Sequence, residues 1–119
     1  MEFKIDINEL KTYPYTPKVW GGEITLVNAE YCAKFLLIKQ GGHSSLHYHE
    51  KKHEHFIILT GDVLLEKSGR QLLLRKYDIV EVLPYERHRF TGVSNSIILE
   101  VSTHHDEADT VRIEPSWAE

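Results

Sequence analysis

Short strand-like runs recur along this chain, and a turn residue stands in nearly every gap. Period-two alternation and β-branched or aromatic residues mark strands near 3–7, 23–28, 31–39, 45–50, 54–60, 62–67, 70–75, 78–82, 87–92, 96–102 and 110–113. Pro14, Pro17, Gly21-Gly22, Asn28, Gly41-Gly42, Gly61-Asp62, Ser68-Gly69, Pro84 and Gly92 punctuate them. Helical periodicity is weak throughout. Such a pattern argues an all-β sandwich or barrel, and 119 residues suit a single domain with one core. Ser68-Gly69 reads as a two-residue hairpin between "VLLEK" and "RQLLLR". Residues 1–20, with Tyr13, Pro14, Tyr15 and Pro17, are expected to form an arm across a body made by 21–114, with 115–119 as a tail.

Composition narrows the class of partner. A net charge of −4 gives no reason to expect nucleic acid or an anionic membrane surface. Apolar runs such as Phe35 to Ile38 are far too short to span a bilayer. "MEFKIDINELK" has no apolar signal-peptide core, and the single cysteine, Cys32, excludes an intrachain disulfide, so a cytoplasmic protein is expected.

The stretch "LHYHEKKHEH", residues 46–55, holds four of the eight histidines. Strand alternation puts His47 and His49 on one face, close enough to share a divalent ion. Glu54 opens the next run and supplies a carboxylate if that strand pairs antiparallel with the first; hydrophobicity alone leaves open which face of 54–60 is inward. His88, at the start of a later strand with Phe90 on its face, is the best remote ligand. His53 reads as solvated in a charged turn, His55 as an interstrand or interface residue, and His104 and His105 as surface residues. His43 is either exposed or at a mouth.

The spacing Gly41, five residues, His47, one, His49, four, Glu54, six, Gly61 resembles the first motif of the cupins. "YDIVEVLPYERHRF" resembles the second, with His88 at its histidine, Tyr77 and Tyr85 where glycines are usual, and Pro84 one place late. The resemblance implies a cupin-type jelly-roll β-barrel and a metal held by His47, His49, Glu54 and His88. "HSSLHYHEKKHEHFIILTGDVLLE", "VWGGE" and "LEVSTHHDEADTVRIE" further resemble the cupin domain of type II mannose-6-phosphate isomerases, and small cupin-type sugar isomerases.

That resemblance implies an aldose–ketose isomerase acting on a sugar or sugar phosphate. Three histidines and a carboxylate leave metal positions open, and the donor set admits Zn, Mn, Fe, Co or Ni. Isomerisation needs a base between C1 and C2; Glu100, on the face of Ile98 and Ser102, is the candidate, with a hydroxide on the ion or a plain salt-bridge role as alternatives. Ser45, Tyr85 and Arg112 are expected at the substrate, Arg112 toward a phosphate; Lys34, Arg87 and Arg89 read as surface charges and Trp20 as core or sugar platform. A non-catalytic metal-containing sugar-binding protein and an Fe(II) dioxygenase use the same ligands. An exposed "FKIDI" strand would pair with a second copy, so a homodimer is expected.

Overall fold

A computed structural model describes residues 1–119. A short helix, α1 (Ile7–Leu10), precedes thirteen strands: β1 (Tyr15–Lys18), β2 (Gly21–Asn28), β3 (Tyr31–Ile38), β4 (Gly42–His43), β5 (Leu46–His49), β6 (Glu54–Thr60), β7 (Val63–Lys67), β8 (Arg70–Leu74), β9 (Ile79–Val82), β10 (His88–Gly92), β11 (Ser96–Thr103), β12 (Thr110–Glu114) and β13 (Trp117–Ala118). The first sheet runs β1-β2-β3-β11-β6-β9. In the second, β10 lies between β7, which continues to β8, and the broken strand β4/β5, which pairs outward with β13 and β12. The two sheets face each other as a jelly-roll sandwich. No ladder joins their edges, so the expected barrel is not closed by hydrogen bonds.

The inner face of the first sheet explains where core and site lie. Alternation turns Cys32, Lys34, Leu36 and Ile38 of β3 inward, and register sets Leu36 beside Ile98 of β11, which pairs Ile58 of β6. These apolar rows pack on Phe90, Val63 and Leu65 of the second sheet. One row further the chemistry changes: Lys34 lies beside Glu100, and Cys32 beside Ser102, which in turn pairs Glu54. One half of the sandwich is thus oil, and the other half is lined with charge.

Ser68 and Gly69 both have positive φ, 51° and 78°, and connect Lys67 to its partner Arg70 as the expected hairpin turn. Residues 3–6 are not a strand. Asp6 accepts from the Asn8 N–H at 2.9 Å and caps α1, and no neighbouring strand offers this segment a ladder, so the basis for pairing through "FKIDI" falls away. The strand in this region is β1, which carries Pro17; an edge strand tolerates a residue without an N–H. No helix is long and apolar enough to cross a membrane.

Cys32 is a buried free thiol facing the interior. Burial, and then the nearby Glu100 carboxylate, push its pKa up. Alkylation of the native protein should therefore be far slower than after unfolding in denaturant, and mobility should be the same with and without reductant.

Candidate metal and substrate site

His47 and His88 are direct partners across β5 and β10, and His49 stands two residues along on the same face. One ring nitrogen from each of the three lies within 4.8 Å of the others. Their other nitrogens are spoken for. His47 Nδ1 donates to the Ser45 carbonyl and His88 Nδ1 to the Glu86 carbonyl, each at 2.9 Å. Thr110 Oγ1 meets His49 Nδ1 at 3.2 Å. A carbonyl can only accept, so the protons of His47 and His88 sit on Nδ1 and the Nε2 lone pairs point inward.

Glu54 reaches this group from the opposite sheet. The antiparallel pairing on which the sequence argument for Glu54 is conditioned does not form: the turn at 50–53 crosses from one sheet to the other. Glu54 is 2% exposed, with Oε1 3.5 Å from His49 Nε2 and Oε2 3.3 Å from His88 Nε2. Glu54 Oε2 and His88 Nε2 are both buried without a hydrogen-bond partner. Acceptor thus faces acceptor, and either a shared proton or a metal cation between them satisfies both. By that test the residues fit a divalent ion, with His47, His49 and His88 as nitrogen donors and Glu54 as the oxygen donor.

Electrostatics agree with neutral ligands. Burial first, then the neighbouring His88, lowers His47 to about 3. Burial likewise lowers His49 to about 4, against the opposing pull of Glu54. Burial alone would raise Glu54, but its contacts with His88 and Lys52 outweigh it and hold the carboxyl at about 2. The unfolded histidines titrate near 6.5, so the unfolded chain binds more protons below that pH and the folded state loses stability as pH falls. The unfolding midpoint of metal-stripped protein should be flat above roughly pH 7 and fall steeply between about pH 6.5 and 4, and bound metal should move that fall to lower pH.

Lys52, in the charged turn before Glu54, points inward. It is 3% exposed and spends all three N–H donors inside: on Glu100 Oε2 at 2.7 Å, Glu54 Oε1 at 3.2 Å and His105 Nδ1 at 2.8 Å. Burial would lower its pKa; Glu100 and Glu54 prevail and raise it. The Asp109 carboxylate sets this geometry by accepting the consecutive backbone N–H groups of Glu50, Lys51 and Lys52 at 3.0–3.2 Å. His105, expected at the surface, lines the cavity and joins Lys52 to Glu107, which pairs with Arg112. His104 is exposed, bonded to the Ala29 carbonyl.

Beside the ligands lies a cavity of about 220 Å³, and 5 of its 21 lining residues are hydrophobic. Glu100, Ser45, Arg112, Trp20 and Lys34 all line it, Lys34 buried against Glu23 at 3.5 Å. Arg89 does not: it is buried on the outer side, held by the carbonyls of Ser44 and Pro115. Tyr85 also stands away from the cavity, exposed on a turn and stacked on Tyr48. Tyr77 and Tyr85 keep the left-handed backbone, φ 72° and 68°, that the glycines of the second motif would supply freely. Gly41 and Gly61 of the first motif are left-handed too, φ 77° and 82°.

No protein-family model matches the chain, and no curated protein matches it in sequence. Solved structures match in shape. Pac13 of Streptomyces, described as a unique nucleoside dehydratase, superposes with TM-score 0.76 at 15% identity over 96% of this chain and 92% of its own. A Planctomyces limnophilus protein gives 0.71 at 20% identity, covering 92% and 96%. The capsular polysaccharide assembling protein CapF of Staphylococcus aureus gives 0.73 at 17% identity over 86% of this chain but 35% of its own length.

The fold is that of the cupins. In this chain the histidines come from one sheet and the carboxylates from the other, so any ion and the cavity beside it lie between the two layers.

Proposed function

We propose that the chain is a divalent-metal-dependent sugar or sugar-phosphate isomerase of the aldose–ketose type, with mannose-6-phosphate isomerase chemistry as its nearest parallel. One observation supports the reading: the Glu100 carboxylate lines the same polar cavity as the cluster of His47, His49, His88 and Glu54. A divalent ion at His47, His49, His88 and Glu54 supplies Lewis-acid polarisation of a carbonyl and its neighbouring hydroxyl.

The other work falls to the chain. Lys52 and Ser102 both donate to Glu100 Oε2, at 2.7 and 3.1 Å, which leaves Oε1 to take the proton. Lys52 also spans Glu100 and Glu54, fixing the base relative to the ligands. Ser45 and Lys34 offer hydrogen bonds to substrate hydroxyls, Trp20 an apolar wall, and Arg112 at the rim a cation for a phosphate. A cavity of about 220 Å³ is smaller than the usual pocket for a drug-sized ligand, which favours a small polar ligand such as a monosaccharide. Its polar lining speaks against an apolar dioxygenase substrate.

The test is a screen of protein with its metal identified, against aldoses, ketoses and their phosphates, read by product formation. Conversion of at least one pair is expected. Binding of such sugars without conversion would leave a non-catalytic sugar-binding cupin, and oxygen uptake with Fe(II) would make it a dioxygenase.

A further inference from the structure

Two histidines of "LHYHEKKHEH" take no part in the enclosed site. His53 and His55 flank Glu54, and alternation turns them to the outer face of the first sheet while Glu54 points in. Glu81 of β9 is the direct cross-strand partner of His55. His53 Nε2 lies 2.8 Å and His55 Nε2 3.5 Å from Glu81 Oε2, and the three donor atoms are mutually within 4.8 Å. The backbone beneath is fixed. His55 and Glu81 sit in a ladder, and His53 exchanges two hydrogen bonds with Thr103, both at 3.0 Å.

We infer that His53, His55 and Glu81 form a second, exterior metal site for a borderline divalent ion such as Zn2+. Two imidazoles and one carboxylate match the donor preference of zinc, nickel or copper and not that of calcium or magnesium. The side chains are 41–48% exposed, so water completes the coordination, and the ion exchanges more readily than one enclosed between the sheets. Such an ion ties the edge strand β9, which has a ladder on one side only, to β6 and, through His53, to the end of β11.

The test is equilibrium dialysis of the full chain against Zn2+, with metal counted by mass spectrometry. Wild type should saturate at about two ions per chain, one tight and one exchangeable. His55→Ala and Glu81→Ala should each lose the exchangeable ion and keep the tight one. His104→Ala should keep both. His49→Ala should lose the tight ion and keep the exchangeable one, which separates failure of this site from failure of the enclosed one. His55, Glu81 and His104 are exposed, and an unchanged circular dichroism spectrum checks the fold of every variant, buried His49→Ala included. Saturation of wild type with no exchangeable ion would show His53–Glu81 to be a surface ion pair only and overturn the proposal. So would a second ion that survives both His55→Ala and Glu81→Ala, or that disappears in His104→Ala.

Discussion

Replacing His88 with alanine should empty the enclosed site. Wild type dialysed against metal-free buffer should retain about one divalent ion per chain, and His88→Ala close to none. The reason is geometric: His88 Nε2 faces both Glu54, at 3.3 Å, and the paired His47 ring, 4.4 Å between centroids, so its loss removes the donor at the centre of the cluster and leaves only two imidazoles and one carboxylate. His49→Ala should do the same, whereas His53→Ala should keep the tight ion. An ion that binds only the folded state adds to stability by mass action, so wild type should melt well above His88→Ala when metal is present and near it after chelation. Retention of a full ion by folded His88→Ala would remove this histidine from the ligand set.

Lys52→Met should be the most destabilising single change at the site. It leaves Glu54 and Glu100, both buried, without their shared cation. Breaking a buried pair from one side costs about 3–5 kcal/mol, which for a domain of this size lowers the melting temperature by roughly 10–20 °C. Metal should recover part of the loss, since the ion compensates Glu54. The double variant Lys52→Met/Glu100→Gln should recover more, because it removes the stranded charge. A thermal shift of only a degree or two would show the ammonium to be dispensable.

Much of this was legible in the sequence, for one reason. Side-chain alternation and turn punctuation are local, and they located most strands, the shared face of Ile98, Glu100 and Ser102 on β11 without telling which way it points, and the shared face of His47 and His49. What escaped was fixed by partners far along the chain. Lys51 and Lys52 look alike in "EKKHE"; only Asp109, 57 residues away, folds the turn so that Lys52 enters. A signal was there, since continuing the alternation of β6 back one step puts Lys52 on the Glu54 face. His105 followed Lys52 inward for the same reason. Pro17 looked like a breaker because edge and centre cannot be told apart before the sheet order is known. Tyr77 and Tyr85 show that a motif glycine can be replaced and its left-handed turn kept.

The most direct measurement is deuterium uptake into a sugar during turnover in heavy water. A carboxylate that carries the proton between C1 and C2 exchanges part of it with any water that reaches the cavity. Metal-loaded wild type with a matching aldose or ketose should therefore place deuterium at the carbon that receives the proton. Glu100→Gln keeps the shape and removes the basicity, so uptake should fall by roughly 10²–10⁴-fold while the ion count stays the same. Undiminished uptake in Glu100→Gln would take the base away from this residue. Absence of both uptake and conversion, in protein shown to hold its ion and bind the sugar, would contradict the isomerase reading.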